Sequence, residues 1–310
     1  MTKSIEFSCM GSSFFVEAEN HAELKQWFND IEQTYSRFRN ESYLSWFNRL
    51  EPSDKWVTVS PDFYSILVEV TDYMKRMDGL FNPFLGAQLK ALGYDRPFSE
   101  MKRRGIKACL PAYHENKILL HSGQPLVKKL QNVELDLGGF VKGWSVDRAY
   151  HMARGHNVFI DGGGDMRFSF AEPEVIGIMN PFDSNTDIVQ LKIRKGAIAT
   201  SNVLHRRWQT EDGFYHHILN GKTGENPESD VVQVTVLASS VREAEVYAKV
   251  LCMMNGELVE SWLGQRDRSI AAIVITDDKK IRITENIAEF CEGVKTAWSS
   301  QHGNGQGSQV

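Results

Sequence analysis

"LDLGGFVKGWSVD", residues 135–147, carries an apolar run into a carboxylate, Asp136. A glycine pair, Gly138 and Gly139, follows, and then Lys142 at the start of a helical pattern. Glycines let backbone N–H groups approach a ligand closely, and the N-terminus of a following helix favours negative charge. Lys142 adds a point charge suited to phosphate. The same residues also make a compact turn with Lys142 in solvent, and the segment is not GxGxxG, so taken alone it leaves both readings open. A second cluster, IDGGGD at 160–165, repeats the form of apolar strand, carboxylate and glycines. Two such loops in one chain shift the balance towards backbone loops converging on one ligand.

The chain has 310 residues, 42% hydrophobic and 24% charged, an ordinary globular balance with ample material for a core. A net charge of −5 gives no basic excess, which argues against broad nucleic-acid binding by counterion release. The N-terminal segment lacks the apolar core of a signal peptide, and Cys9 has no hydrophobic run before it that would make a lipobox. No stretch approaches the roughly 18 apolar residues of a membrane span. The four cysteines are scattered and form no CxxC pair, and Cys252 lies in a helical pattern as a small buried hydrophobe. These features predict a soluble, cytoplasmic protein.

Strand-like runs cover 5–18, and amphipathic helices are expected over 21–38 and 61–77, the latter opened by Ser60-Pro61. The segment 78–95 begins as a Gly/Pro-punctuated loop and turns helical after Gly86. Short strands are expected near 117–121 and 132–136, then a helix over about 140–154. Further strands are expected at 174–179, 188–193, 216–219 and 231–238. In SVREAEVYAKVLCMMN, Ala244, Tyr247, Ala248, Leu251 and Cys252 follow helical spacing, with Ser240 and Glu243 as a capping box. A strand pair at 269–275 and 280–284 precedes a helical stretch. Residues 299–310 are polar and glycine-rich and are expected to be a disordered tail. Strands and helices alternate without a strict βαβ rhythm, so the fold class is α/β or α+β in one domain, residues 1–298.

Other candidates are weaker. Thr200 and Ser201 close a strand-like run in AIATSN, where hydroxyls either donate to phosphate or cap the next element. In HHILNGKTGENP, 216–227, one of the paired histidines must face differently from the other, and His217 is a candidate acid or base. Glu245 and Lys249 stand at i, i+4 in acid-first order, which in isolation is a surface ion pair worth about 0.2–0.5 kcal/mol.

Taken in order, these segments resemble the ApbE-type FAD:protein FMN transferases. That family's "DLGGxxKGxxxD" signature is matched from Asp136 to Asp147. Its "MGT" resembles Met10-Gly11-Ser12, "YxxxSxLxxFN" resembles the segment ending at Asn48, and "DGxFDPTVGPL…WGF" resembles DGLFNPFLGAQLKALGY. "GGN", "TSG" and "HIIDPxTGxP" are similar to GGD (163–165), TSN (200–202) and HILNGKTGENP. The resemblance implies a single T-fold-like domain, with mixed sheets flanked by helices. It implies FAD as donor, Mg2+ at the pyrophosphate, transfer of FMN to a Thr or Ser hydroxyl of a target flavoprotein, and release of AMP.

Carried over by position, Met10, Leu80, Phe81, Asn82, Asp136, Lys142, Thr200, Ser201 and Ile218 would contact FAD, and His217 would sit beside the reacting phosphate. The Gly139 carbonyl and Glu245 would hold the metal. The pattern breaks at the metal: the family's "ADALxTA" helix supplies an aspartate and, four residues later, an oxygen ligand, where this chain has Glu245 and Lys249. Lysine offers no oxygen, and its ammonium repels a divalent ion. Asn82 and Asn220-Gly221 also stand where the family has acids or Asp-Pro, so the resemblance implies a site that needs less Mg2+, or none. A non-catalytic FAD-binding protein, or a pyrophosphatase giving FMN and AMP, are the alternative readings. A homodimer is left open.

Overall fold

Alternating apolar residues at the start of the chain close into a hairpin of β1 (Ser4–Cys9) and β2 (Ser12–Glu17), with Cys9 opposite Ser12. Only Met10 and Gly11 connect them, at φ 48° and 69°, the two positive angles of a type I′ turn matched to strand twist. The computed structural model describes residues 3–101, 117–211 and 213–297. Helix α1 (His21–Tyr35) buries Leu24, Phe28, Ile31 and Tyr35, the i, i+4, i+7, i+11 stripe expected of an amphipathic helix. A short α2 (Tyr43–Asn48), capped by Ser42, and the two-residue β3 (Val57–Thr58) were not anticipated. Helix α3 (Pro61–Arg76) opens as its sequence predicts: the Ser60 hydroxyl accepts from the Phe63 N–H, and Pro61 takes the first helical position. Helix α4 (Gly86–Ala91) starts after the Gly/Pro loop.

Strands β4 (Ile118–Leu120) and β5 (Leu126–Lys129) form a small sheet with β3, in the order β3-β5-β4. The chain then passes into α5 (Val141–Met152), β6 (Val158–Asp161), β7 (Met166–Asn180) and β8 (Asp183–Asn202). A two-stranded flap, β9 (Arg207–Gln209) and β10 (Phe214–His216), precedes β11 (Val231–Ala238) and α6 (Val241–Leu251). Helix α7 (Val259–Arg266), β12 (Ala271–Thr276), β13 (Ile281–Ile283) and β14 (Gly293–Thr296) complete the fold.

The main sheet runs β1-β2-β6-β7-β8-β11-β12-β13, with β14 on β8. Every recorded pairing is antiparallel, so of the two fold classes the sequence allowed, α+β is the one found. Strand β8 is long enough to serve two neighbours: residues 189–192 pair with β14, and residues 197–202 with β11. β11 is buried along its whole length because both of its faces are covered. Val234 and Val236 pack with α6 and α3, whereas Val232 and Leu237 join Ile273, Ile275 and Cys291 on the opposite face. No helix among the described residues is long and apolar enough to cross a membrane.

Three element expectations are corrected. Residues 132–136 are not a strand, although Val133 and Leu135 alternate inward. Their backbone is tied to non-ladder partners: Asn48 clamps Leu135 with its side-chain amide at 2.8 and 3.0 Å, Gly86 N–H donates to Glu134, and Asp136 N–H donates to Pro83. The strand expected at 216–219 ends at His216, because the Asn226 amide takes up the carbonyls of His216 and Ile218. The helical stretch after 284 is a single 3-10 turn, Glu285–Glu289. The 299–310 tail lies outside the described residues.

Candidate active site

The turn, the two glycine clusters and the ends of β8 and α6 meet around one cavity of about 740 Å³. That volume is within the roughly 300–1,000 Å³ that encloses a cofactor-sized ligand. Of the residues singled out in the sequence, Met10, Asp136, Gly139, Lys142, Thr200, Ser201, His217, Ile218, Glu245 and Lys249 line it. Leu80, Phe81 and Asn82 do not. Asn82 is buried behind the wall, where its amide donates to the Gly221 carbonyl at 2.8 Å and its oxygen accepts from the Phe84 N–H at 2.9 Å. Its part is to tie the 78–85 loop to the turn after His217.

The opening segment turns out to serve packing and site together. At Gly143 a Cβ would stand 2.8 Å from the Arg242 N and 2.9 Å from a Glu245 oxygen, so only glycine lets α5 approach the start of α6 this closely. Asp147, at the end of the signature, accepts from the N–H groups of Val241 and Arg242 and so caps α6 from outside at 2.9 and 3.1 Å. Asp136 accepts from the Gly138 N–H at 2.7 Å and pairs with Arg37 at 2.6 Å. Burial works to raise its pKa, but Arg37, Lys249 and the Gly138 N–H outweigh that and hold the carboxyl below its ordinary range. Lys142 is engaged by Asp165 of the second glycine cluster at 2.9 Å.

His217 and His216 do face differently. Asn226 and the Ile218 N–H hold the His216 ring, whereas His217 lines the cavity and its buried Nδ1 has no hydrogen-bond partner among the described residues. Burial, with the charges of Arg206, Lys249, His216 and Lys142, pulls the His217 imidazole well below its ordinary value, so it is neutral at pH 7. Three cationic side chains therefore stand close round an uncharged, unengaged imidazole.

Arg37 and Arg206 were missed in the sequence. Arg37 stacks between the rings of Phe38 and Tyr94, at 4.2 and 4.6 Å from their centroids, and donates to the Tyr94 carbonyl at 2.7 Å. Arg206 holds the type I′ turn, donating to the Gly11 carbonyl at 3.2 Å and the Ser12 hydroxyl at 3.1 Å. The Thr200 hydroxyl is shared with Thr235 at 2.8 Å across the β8–β11 pair, so it points along the sheet ladder rather than freely into the cavity.

Lys249 stands beside both residues expected to hold magnesium, Gly139 and Glu245. A Cβ placed on Gly139 would lie 2.9 Å from the Lys249 ammonium nitrogen and 3.0 Å from its Cδ, so the lysine already covers that glycine. Glu245 is buried and accepts from the Gly143 N–H at 2.8 Å. Burial first, and the neighbouring Asp165 second, push its pKa up to about 8, against the opposing charges of Lys142 and Lys249. Lys249 offers no oxygen to a hard divalent cation, and its ammonium repels one. Among the described residues no group of three or more His, Cys, Asp or Glu is placed to hold a metal ion.

Comparison with known proteins places this arrangement. The ApbE family model matches residues 4–274. The FAD:protein FMN transferase of Treponema pallidum is 26% identical over 298 residues, covering 88% of this chain and 82% of its own. That of Chlamydia muridarum is 28% identical over 251 residues, 77% of each chain. Among solved structures, the ApbE protein of Thermotoga maritima matches with a TM-score of 0.80 at 21% identity, over 94% of this chain and 99% of that one. The flavin transferase ApbE of Vibrio cholerae matches with 0.74, also at 21% identity, over 94% and 100%. The structural likeness establishes the shared fold, and the match of the family model across the sheet, the glycine clusters and α6 establishes the lineage: the chain belongs to the ApbE family.

Proposed function

We propose that this protein is an FAD:protein FMN transferase, moving the FMN moiety of FAD onto a Thr or Ser hydroxyl of a flavoprotein acceptor and releasing AMP. The observation that carries this reading is the neutral, unpartnered His217 on the wall of a cavity that also presents Arg206, Lys249 and Lys142. The family membership and the printed activity of the relatives support it. Phosphoryl transfer is mainly positioning plus neutralisation of spreading charge, which such a constellation supplies.

In this reading the cationic side chains and the backbone N–H groups of the glycine clusters bind the diphosphate. The acceptor oxygen attacks the phosphorus of the FMN half, forming the new P–O bond. The bond to the AMP phosphate breaks, and AMP carries off that electron pair. The acceptor's proton passes to His217. In the free protein burial first, and the surrounding cations second, make His217 a weak base, and an anionic diphosphate offsets the part due to the cations when the donor is in place. Met10, Asp136, Thr200, Ser201 and Ile218 are proposed as contacts to FAD. Leu80, Phe81 and Asn82 act from behind the wall. The residues present do not favour Mg2+ on Gly139 and Glu245, so no step is assigned to a metal.

The test is incubation with FAD and an acceptor flavoprotein, followed by mass spectrometry of the acceptor and chromatography of the nucleotide. One FMN added to a Thr or Ser peptide, with AMP formed in step, is the expected result. AMP formed without acceptor would make the protein a hydrolase, and flavin bound with no AMP at all would make it a carrier.

A further inference from the structure

We propose that the Lys249 ammonium is a built-in countercharge for the donor's diphosphate, standing where a divalent ion would otherwise be needed and making donor binding independent of that ion. The inference rests on the reading of this cavity as a diphosphate site and concerns how that site is neutralised.

The argument starts from where α6 puts the side chain. Lys249 leaves the last turn of α6 and lies over Gly139, where a Cβ would meet its ammonium nitrogen at 2.9 Å. Its ammonium therefore sits at the glycine whose carbonyl was the expected metal ligand. Among the described residues it donates no hydrogen bond to protein, although it lines the cavity and is partly buried. The other cations of the wall are engaged: Arg37 with Asp136, Lys142 with Asp165, and Arg206 with the Met10-Gly11 turn and Ser12. A half-buried ammonium with three unused donors is costly to keep unless a ligand completes it. The nearby Asp136 carboxylate supports its charge. A dianionic ligand favours the charged form further. One turn earlier on the same helix, the Glu245 carboxyl is turned to accept from the Gly143 N–H at 2.8 Å.

FAD binding to the whole protein, followed by isothermal titration after exhaustive chelation and again with millimolar magnesium, tests this directly. Wild type is expected to bind FAD equally in both conditions, within about twofold. Lys249→Met keeps the stem and removes the charge, and is expected to weaken binding about tenfold or more in both conditions. Lys249→Thr restores an oxygen, and is expected to weaken binding after chelation and to recover at least part of it with magnesium. Lys249→Arg keeps the charge and guards against a merely structural effect, and is expected to stay within a few-fold of wild type. Circular dichroism melts establish that each variant is folded. A wild type that binds FAD only with magnesium overturns the inference and leaves the transferase reading intact. So does a folded Lys249→Met that binds as wild type does. Wild-type binding without magnesium, but with no FMN transfer to any acceptor, upholds the inference and removes the transferase reading. Failure of wild type to bind FAD in either condition removes both.

Discussion

The Arg37 guanidinium meets the Asp136 carboxylate at 2.6 Å, with side chains only 6% and 13% exposed, and the pair joins the end of α1 to the strand-like approach to α5. Breaking such a pair from one side strands a charge in a poorly solvated place, whereas removing both ends leaves none. Arg37→Met or Asp136→Asn alone is expected to lower stability by about 3 kcal/mol. The double substitution should cost clearly less than the sum. A double-mutant cycle from urea unfolding checks it, and simple additivity would show that the two charges are not coupled.

Glycine at 143 is a packing requirement in this structure, which sets apart two substitutions that look alike on paper. Gly143→Ala drives a methyl into the Arg242 backbone and the Glu245 carboxyl, and overpacking of this kind costs about 1–3 kcal/mol. Gly264→Ala lies in α7 with nothing within 4 Å of the new methyl, and is expected to be neutral or to stabilise by about 0.5–1 kcal/mol. The denaturant midpoint of Gly143→Ala should fall, while that of Gly264→Ala holds or rises. Equal shifts would mean that α5 can withdraw from α6 without penalty.

Much of this was legible before any coordinates. Helices α3 and α6 announce themselves by period and by Ser60 and Ser240 as caps, because local spacing alone decides which face is buried. The glycine clusters were legible as candidates because two loops of carboxylate and glycines recur in one chain, and His217 because paired histidines must face differently. Arg37 and Arg206 were not. A single arginine in a polar stretch reads the same whether it is solvated or stacked between Phe38 and Tyr94, since its partners lie far along the chain. Residues 132–136 misled for the same reason: alternation records which side chains face inward, while the partners of their N–H groups, Pro83 and Asn48 among them, are tertiary. The i, i+4 spacing of Glu245 and Lys249 suggested a surface ion pair, and only tertiary packing reveals that each faces α5 or the cavity instead.

His216 gives the protein a distinct response to acid. Burial, and then the Arg207 charge, hold its pKa down to about 4 against an ordinary 6.5. Between those values the unfolded chain binds a proton that the folded chain refuses, so this contribution is intact above pH 6.5 and is lost as pH falls towards 4. Its slope is at most about 1.4 kcal/mol per pH unit. Glu245, raised to about 8, works in the opposite sense over part of the same range, so the wild-type curve alone does not isolate the histidine. His216→Asn keeps an acceptor for the Ile218 N–H and removes the titration. Urea unfolding at pH 7, 6 and 5 should show wild type losing stability relative to His216→Asn as pH falls. Parallel curves would mean that the imidazole titrates normally in the folded state.

His217 sits at the opposite extreme, with little structural use for its ring. Its Nδ1 has no partner, so His217→Asn or His217→Ala should leave the fold and the diphosphate contacts in place. FAD affinity is expected to stay within about threefold, because binding falls to Lys142, Lys249, Arg206 and the glycine loops, while the rate of FMN transfer drops about 10²–10⁴-fold with the loss of the proton acceptor. The accompanying signature is in the pH profile. Wild-type turnover should rise through an apparent pKa higher than that of the free protein's imidazole, since the bound diphosphate offsets the cations that add to the effect of burial. That rising limb should be absent from the residual rate of His217→Ala. If the variant keeps both the rate and the limb, the proton of the acceptor hydroxyl goes elsewhere, and Asp165, buried with a raised pKa and paired with Lys142 on the same wall, becomes the group to replace next.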